Sequence, residues 1–305
     1  MLKYLPGFVK GVLVIVILVI QTLMWVPFII IAAFFKYLFP FPVIRKLGDS
    51  ILNKIVICWM GINNLIFRAF HRTEWEIRGV GNLNVNGWYL LLPNHQSGAD
   101  IFVLQMAFCK KIPPLKFFLK RELIWVPIFG FIWKVLDFPF MKRYSRETLL
   151  KKPHLKGKDL EKTRKACEKF RDIPVAIINF VEGTRFSPEK QRKQQSPYRH
   201  LLKPKAGGIA FVLGSMGEQL NRILDITLVY PDGVVSLWQF FCGKARKIVV
   251  QVRDLPVASE LIGDYFNDMK FKEGFQRWLN ELWALKDKEI EEILLAESAC
   301  SPGPM

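Results

Sequence analysis

The first apolar segment of the chain covers residues 11–35 and contains no charged side chain. A helix of this length would extend about 37 Å, which is enough to cross the core of a bilayer. Pro27 is expected to kink this helix. A cleaved signal peptide is disfavoured, because the apolar run is too long and no clear small-residue cleavage site follows it. The segment therefore predicts a membrane-associated helix.

Residues 43–70 have a different pattern, in which Lys and Arg interrupt apolar residues that recur at helical spacing. Such a helix either lies on a membrane surface or packs in a protein core. Residues 1–72 are thus predicted to form a membrane-associated helical region, with a transmembrane first helix or as a hairpin embedded in one leaflet. Basic residues follow the first helix at 36, 45 and 46, whereas only Lys3 and Lys10 precede it. The positive-inside rule places the remaining chain on the cytosolic side, at the inner membrane if the source is bacterial.

From residue 74 onward, strand-like and helix-like segments alternate. The expected strands are 88–94, 115–119, 138–141, 174–181, 223–230 and 245–253, and the expected helices are 97–109, 121–136, 157–171, 207–221 and 273–297. This alternation predicts an α/β domain over residues 73–297, with helices flanking a sheet. Residues 298–305 are expected to be a disordered tail.

The chain is strongly basic, with 44 Lys and Arg against 27 Asp and Glu and a net charge of +17. A basic and largely apolar chain suits nucleic acid or an anionic membrane. Nucleic acid is disfavoured, because the aromatic residues lie mostly in apolar runs and no recognition motif is present. The five cysteines show no paired or ligand-like spacing, so no structural metal is predicted.

A candidate catalytic motif, Asn94-His95-Gln96-Ser97-Gly98-Ala99-Asp100, directly follows the apolar run 88–93. A strand that ends in a histidine presents it at a sheet edge, where α/β enzymes keep their sites. Asp100, in the first turns of a helix that starts near Ser97, can hold one ring nitrogen of His95. The other nitrogen is then free to take a proton from a hydroxyl. The alternative is a helix start that these side chains merely cap, and Ser97 is interpreted as a cap rather than a nucleophile.

A second motif, Glu182-Gly183-Thr184-Arg185, follows the apolar run 175–179. Glycine lets the backbone turn sharply at a strand end, and arginine offers a planar fork of donors that suits a phosphate. The alternative is a plain turn with a solvated arginine. Seven Lys and Arg but one Glu lie from Arg185 to Lys205. This basic run predicts either an attraction for phosphates or a solvated loop.

Together these motifs resemble the 1-acylglycerol-3-phosphate acyltransferase (PlsC-like) family of glycerolipid acyltransferases. Two further blocks agree with the resemblance: one is Lys120-Arg121-Glu122-Leu123 with Pro127, Gly130 and Phe140-Met141-Lys142-Arg143, and the other is Ile226-Thr227-Leu228-Val229-Tyr230-Pro231. The four blocks follow the order of the family across residues 94–231. The resemblance implies direct acyl transfer from a thioester to a lysophospholipid hydroxyl, with His95 as the general base and Asp100 orienting it.

The resemblance also implies the substrate-binding residues, which are Lys120, Arg143, Glu182, Gly183, Thr184 and Arg185. Arg185 and Lys120 are the implied phosphate ligands, and Glu182 would fix the glycerol end or orient Arg185. The neighbouring Arg121 leaves open which basic residue of its block reaches the phosphate. Gly98 and Ala99 are small where relatives often carry bulkier residues, which leaves the acceptor headgroup open.

The implied acceptor is 1-acylglycerol-3-phosphate, which would yield phosphatidic acid, and the implied donor is acyl-CoA or an acylated carrier protein, with no cofactor. Alternatives are another lysophospholipid, a transacylase reaction, and a non-catalytic lipid-binding membrane protein. Family members with a two-helix membrane motif favour the hairpin geometry. The acyl chain needs an apolar groove, which Trp125, Ile128, Phe129, Phe131 and Trp133 would line if they are not simply core or membrane-facing.

Overall fold

The structure, a computed structural model, describes residues 2–39, 41–141, 170 and 173–300. The strands in these residues are β1 (Glu74–Arg78), β2 (Trp88–Pro93), β3 (Leu115–Phe117), β4 (Leu119–Lys120), β5 (Phe140–Met141), β6 (Val175–Ile178), β7 (Arg222–Val229) and β8 (Lys247–Leu255). The helices are α1 (Gly7–Leu38), α2 (Pro42–Phe70), α3 (Asp100–Phe108), α4 (Phe129–Val135), α5 (Pro188–Gln194), α6 (Gly207–Met216), α7 (Leu237–Phe241) and α8 (Met269–Cys300). Short 3-10 helices lie at Leu2–Tyr4, Arg121–Trp125, Gly217–Gln219 and Ser259–Leu261.

Six strands form the main sheet in the order β1-β8-β7-β2-β6-β3, and β4 pairs with β5 in a separate two-stranded sheet. Strand β2 is parallel to both of its neighbours, β6 and β7, and β3 is parallel to β6. Strand β8 runs antiparallel to β7 and parallel to β1. Four neighbouring strands, β7, β2, β6 and β3, therefore end at the same carboxyl edge of the sheet.

Apolar side chains cover both faces of the main sheet. Successive side chains of a strand point to opposite faces, and β2 shows this directly. Leu91 packs on one face with α3 and with aromatic residues of α2 and α7, whereas Leu90 and Leu92 pack on the other face with α6 and α8. All three leucines are fully buried. The prediction of a sheet flanked by helices, after an N-terminal apolar helical region, is confirmed.

Helices α1 and α2 form a hairpin that contacts the α/β part at both ends of α1. Both helices are long and apolar enough to cross a membrane, judged by length and composition alone. Near the start of α1, a Cβ placed on Gly11 would lie 2.7 Å from Sγ of Cys242, so this close approach requires glycine. Near its end, Lys36 Nζ lies 2.6 Å from Asp49 Oδ1 and 2.5 Å from Asp137 Oδ2. The three side chains form a buried ionic cluster that joins α1, α2 and the segment after α4.

Several elements differ from their sequence-based boundaries. The predicted helix 121–136 is broken into a 3-10 helix and α4, because Pro127 lacks an N–H and the next residue, Ile128, has a φ of 65°. The predicted strand 115–119 is divided between β3 and β4, which belong to different sheets. The predicted helix 97–109 begins only at Asp100. The predicted helix 157–171 lies outside the described residues, apart from residue 170.

The C-terminal helix is longer than predicted. It begins at Met269, where the preceding Asp268 accepts a hydrogen bond from the N–H of Phe271, and it continues to Cys300. The first three residues of the predicted tail, 298–300, are thus helical, and residues 301–305 lie outside the described part. Among the strands and α-helices of the described residues, three escaped prediction: β1, a short strand with charged residues at alternate positions, and the short helices α5 and α7.

Candidate active site

The segment after β2 is fastened to β7 by the side chain of Asn94. Its amide nitrogen donates to the carbonyl oxygen of Leu228 at 2.9 Å, and its amide oxygen accepts from the N–H of Leu228 at 2.7 Å. Asn94 is fully buried, so these bonds satisfy backbone groups that water does not reach. The next residue, His95, therefore leaves the sheet from a fixed point at the carboxyl edge.

The imidazole of His95 lies against the carboxylate of Asp100, with Nδ1 2.9 Å from Oδ2. Asp100 is fully buried, while the His95 side chain keeps 18% of its surface exposed. The Phe180 ring stacks on the imidazole at a centroid distance of 4.1 Å. With a proton on Nδ1, Nε2 has a free lone pair, and no side chain of the described residues bonds to it. The pair can therefore work as a base toward an incoming hydroxyl.

Backbone and side-chain donors hold the Asp100 carboxylate in place. Oδ2 also accepts from the N–H groups of Gln96 at 2.7 Å and Ser97 at 2.9 Å. Oδ1 accepts from the hydroxyl of Tyr230, at the end of β7, at 2.7 Å. Burial and the neighbouring carboxylate raise the pKa of Tyr230 well above its usual value, so the phenol stays protonated and remains a donor. These donors hold the carboxylate fixed beside His95.

Ser97 is not the N-terminal cap of α3 that the sequence suggested. Ala99 occupies the capping position, and it makes no side-chain cap. The Ser97 hydroxyl instead donates to the carbonyl oxygen of Val235 at 2.5 Å and accepts from the N–H of Ala99 at 3.1 Å. The carboxylate of Asp100 binds the free N–H groups that precede the helix. Ser97 therefore attaches the motif to the segment after β7.

Glu182, after β6, has a fully buried side chain that supports the backbone of His95. Oε1 accepts from the N–H of His95 and Oε2 from the N–H of Leu202, both at 2.9 Å. Burial raises the pKa of Glu182 to about 7, although these two backbone donors oppose the shift. The predicted contact of Glu182 with substrate or with Arg185 does not agree with this position, because both carboxylate oxygens are bound to backbone below the surface.

The three residues after Glu182 form an exposed turn beside the histidine motif. Gly183 has a φ of +71°, which side chains rarely adopt, so the turn needs glycine. The Thr184 hydroxyl accepts from Lys190 Nζ at 2.9 Å. A Cβ placed on Gly98 would lie 3.7 Å from Nη1 of Arg185, which brings that guanidinium to the motif of His95. The N–H of the next residue, Phe186, donates to the His95 carbonyl oxygen at 2.7 Å.

Lys120 lies on β4, which follows β3 at the same carboxyl edge, and its side chain is exposed. Its neighbour Arg121 is exposed as well, so both basic side chains are accessible at this edge. Arg143 lies outside the described residues. The structure thus brings together His95, Asp100 and the turn 182–185, and it places Lys120 on the same edge.

The sequence profile of the acyltransferase family matches residues 74–231, a little over half of the chain. This range contains the four strands that end at the carboxyl edge and every predicted site residue. The chain belongs to the acyltransferase family. The prediction of an acyltransferase is confirmed.

Among similar proteins is mouse 1-acyl-sn-glycerol-3-phosphate acyltransferase epsilon, 23% identical over 79% of this chain and 67% of its own. Lysocardiolipin acyltransferase 1 of Danio rerio is 22% identical over 80% of this chain and 62% of its own. The 2-acyl-1-lysophosphatidylinositol acyltransferase of Saccharomyces cerevisiae is 24% identical, with 65% and 59% covered. The crystal structure of the LPA acyltransferase PlsC from Thermotoga maritima has a TM-score of 0.54 at 15% identity, covering 93% of this chain and 98% of that one. At this level of sequence identity, the structural similarity shows a shared fold and nothing further.

An apolar cavity of about 110 Å³ in this acyltransferase lies between the helical hairpin and the sheet. Its walls come from α1, α2, β3 and α4, and they include Trp25, Trp59, Phe117, Phe129, Ile132 and Trp133. Of the five residues predicted to line an acyl groove, Phe129 and Trp133 line this cavity. Trp125, Ile128 and Phe131 are instead exposed on the surface, and Trp125 exposes 84% of its area.

The sequence analysis missed several residues that shape the site of this acyltransferase. Tyr230 was noted as the end of a strand block, but its bond to Asp100 joins residues 130 positions apart. Lys286 of α8 is fully buried, and Nζ contacts the carbonyl oxygens of Leu92 and Ile226 and a carboxylate oxygen of Asp225. No local pattern marks such contacts. In the described part of the chain, no group of three or more His, Cys, Asp or Glu side chains forms a metal-binding arrangement.

Proposed function

We propose that this acyltransferase transfers a fatty acyl group from a thioester to the free hydroxyl of a lysophospholipid. The observation that carries the proposal is the 2.9 Å contact between His95 Nδ1 and the buried carboxylate of Asp100, at an exposed sheet edge. A histidine held in this way is suited to removing a proton from a hydroxyl. Membership of the acyltransferase family supports the type of reaction, and the His95–Asp100 pair supports the choice of general base.

The transfer would proceed directly, without an acyl-enzyme intermediate. His95 Nε2 takes the proton of the acceptor hydroxyl while the hydroxyl oxygen attacks the thioester carbonyl carbon. The carbon–sulfur bond then breaks, and the departing thiolate receives the proton from the imidazolium. Asp100 stabilises that imidazolium, and Tyr230, Gln96 and Ser97 keep the carboxylate in position.

The acceptor we propose is 1-acylglycerol-3-phosphate, which yields phosphatidic acid. Arg185 and Lys120 are the proposed phosphate ligands, and Thr184 and Arg143 complete the site. Arg185 supports this role because its guanidinium is exposed beside Gly98, at the motif that holds His95. The named relatives include enzymes for phosphatidic-acid precursors, lysocardiolipin and lysophosphatidylinositol. A different lysophospholipid is therefore the second candidate.

The proposed donor is an acyl thioester, either acyl-CoA or an acylated carrier protein, with no cofactor. The apolar cavity under α1 and α2 suits an acyl chain, because its walls are aromatic and aliphatic side chains. Phe129 and Trp133 are the predicted groove residues that remain in this role. The exposed Trp125, Ile128 and Phe131 are assigned instead to contact with lipid.

Acyl transfer by the purified protein in detergent or liposomes tests these proposals. Labelled acyl-CoA is supplied with a panel of lysophospholipids, and His95→Ala, Asp100→Asn and Arg185→Ala are measured alongside the wild type. We expect transfer with the wild type, its loss in His95→Ala, and a weaker acceptor affinity in Arg185→Ala. Full activity in His95→Ala would sink the catalytic assignment. Transfer without added thioester would favour the transacylase alternative, and no transfer from any donor would favour a lipid-binding protein.

For the membrane region, 1–72, the proposal is a hairpin embedded in one leaflet, with the α/β domain, 73–297, on the cytosolic side. The supporting observation is that α1 touches the α/β part at Gly11 and again at Lys36, roughly 38 Å apart along the helix. A spanning helix would carry one of these points across a hydrocarbon core of about 30 Å. Many apolar side chains of α1, among them Phe8 and Met24, are exposed and would face lipid.

Labelling of single cysteines in oriented vesicles distinguishes the two geometries. The five native cysteines are replaced by serine, and then Lys3→Cys or Phe39→Cys is introduced at exposed positions that flank α1. An in-plane hairpin makes both cysteines reactive to an impermeant maleimide from the cytosolic side. A spanning helix makes them reactive from opposite sides.

A further inference from the structure

Three cationic side chains surround the backbone of the exposed turn Gly183-Thr184-Arg185. Arg185 belongs to the turn itself. Lys190, from α5, donates from Nζ to the Thr184 hydroxyl and to the carbonyl oxygen of Arg185, both at 2.9 Å. Lys205, just before α6, lies on the other side of the turn, where a Cβ on Gly183 would be 3.1 Å from its Nζ. Two of these cations come from segments outside the turn.

The position of Lys205 is set by its own backbone and by Gly183. The N–H of Lys205 donates to the carbonyl oxygen of Val181 at 2.8 Å, which ties its chain to the start of the turn. Its side chain then extends across Gly183, with Cδ and Cε 3.5 and 3.8 Å from the place of a Cβ. A side chain at position 183 would therefore displace this lysine. Glycine at this position permits both the positive φ and the approach of the ammonium group.

This group of cations has no acidic counterpart within the described residues. Neither Arg185, Lys190 nor Lys205 forms an ion pair with a carboxylate there. Of the acids near them in sequence, Glu182 has both oxygens bound to backbone N–H groups below the surface, and the exposed Glu189 forms no ion pair with these three cations. Like charges that converge repel one another, and an anionic ligand relieves that repulsion. Side chains of Arg and Lys bind phosphate oxygens in this way.

We infer that Lys205, with Lys190, completes a phosphate site that favours acceptors with a phosphomonoester over those with a phosphodiester. The inference rests on the proposed function, because it adds ligands to the same acceptor site. A phosphomonoester carries a charge of about −1.5 to −2 at pH 7, whereas a phosphodiester carries a single negative charge. Arg185 and Lys120, the phosphate ligands proposed above, suffice for the single charge of the diester, and the ammonium groups of Lys190 and Lys205 add positive charge that favours the second charge of the monoester. In this site Lys205 recognises the second negative charge of the monoester, and Lys190 also holds the turn in its conformation.

Steady-state kinetics with two acceptors tests this selection. Lysophosphatidic acid is the monoester, and lysophosphatidylglycerol is the diester. In Lys205→Gln we expect the KM for the monoester to rise about tenfold, with kcat and the KM for the diester changed less than twofold. Lys205→Arg is expected to restore the monoester KM, because it keeps the charge. Lys270→Gln, which removes an exposed lysine at the start of α8, is the matched control and is expected to change neither value.

Binding measured on the His95→Ala protein separates this inference from the proposed catalysis. Equilibrium binding of the two lysophospholipids in detergent micelles needs no turnover. A monoester preference that disappears with Lys205→Gln supports the site, even if the wild type proved inactive. Equal weakening for monoester and diester, or no change for either with an unchanged thermal midpoint, overturns the inference. Lys190→Gln is the second variant, and a loss of kcat alone would show that Lys190 only orders the turn.

Discussion

The hydroxyl of Tyr230 donates a hydrogen bond of 2.7 Å to Oδ1 of Asp100. The two oxygens of the carboxylate therefore have different partners. Oδ1 binds Tyr230, whereas Oδ2 contacts His95 and two backbone N–H groups. The contact with Tyr230 also joins the end of β7 to the first turn of α3. The orientation of the histidine therefore depends on a residue that comes 130 positions after Asp100 and lies at the end of the neighbouring strand.

Tyr230→Phe removes this donor and keeps the aromatic ring. Oδ1 of Asp100 would then be buried without the hydroxyl that donates to it, and the carboxylate would be free to rotate away from Nδ1. A hydrogen bond to a charged group contributes about 1.5–3 kcal/mol, so we expect kcat to fall at least tenfold, with little change in the acceptor KM. Initial rates at saturating donor and acceptor give this value.

A tyrosine outside the site provides the control for that change. Tyr265 is half-buried between α6 and α8, and its replacement by Phe also removes one hydroxyl. We expect Tyr265→Phe to keep wild-type kcat. If Tyr230→Phe kept it as well, the role of this phenol in orienting the carboxylate would be wrong.

The fold and the central site could be predicted because their signals are local. Apolar runs of four to eight residues marked β2, β6, β7 and β8, and parallel strands bring the residues after them to one edge. His95 and the turn at Glu182 each follow such an apolar run, so the sequence places both at strand ends. The spacing of five residues between His95 and Asp100 was also local, since it requires one loop and the first residue of a helix.

The remaining features could not be predicted because their partners are far apart in sequence. Lys36 was counted as a basic residue after an apolar helix, yet its ammonium is buried against Asp137, 101 positions later. Lys286 was an unremarked lysine of a packing helix, yet it binds carbonyl oxygens of β2 and β7. The sequence predicts a continuous helix through Pro127, because aromatic residues on both sides of this proline maintain the apolar pattern.

Glu182→Gln should change the pH dependence of stability. Burial raises the pKa of Glu182 from 4.5 to about 7, so the folded protein retains a proton that the unfolded chain releases between these values. The stabilising contribution is complete below about pH 4.5 and is lost as the pH rises through 7. We expect the free energy of unfolding of the wild type to fall by at most about 3 kcal/mol relative to the variant across this window. Thermal midpoints of both proteins from pH 4.5 to 8 measure the difference.

Glu189→Gln is the control for this titration, because Glu189 is exposed on α5. Its thermal midpoints should follow the wild-type curve at every pH. Glu182→Gln is expected to be less stable at low pH, because its amide NH₂ would face a backbone N–H of His95 or Leu202. Parallel curves for Glu182→Gln and the wild type would contradict the raised pKa.

Lys36→Met should loosen the attachment of the helical hairpin. The Lys36 side chain is 1% exposed, and its removal takes away the ammonium group that contacts the buried carboxylates of both Asp49 and Asp137. Breaking a buried ion pair in this way typically costs about 3–5 kcal/mol. We expect a thermal midpoint in detergent lower by roughly 5–10 °C. Lys134→Met, at an exposed position of α4, should leave the midpoint within a degree or two, and an equal drop in both variants would argue against the cluster.

Gly98 should control which headgroups the acceptor site admits. The place of its missing Cβ lies 3.4 Å from Cβ of Leu237 and 3.7 Å from Nη1 of Arg185, so a methyl group fits there in ordinary contact. We expect Gly98→Ala to keep wild-type kinetics. A leucine would extend between Leu237 and Arg185, so in Gly98→Leu the acceptor KM should rise more for lysophosphatidylinositol than for lysophosphatidic acid, with similar kcat. An equal rise for both acceptors, or a rise in the KM of the thioester alone, would show that the acceptor headgroup does not pass this glycine.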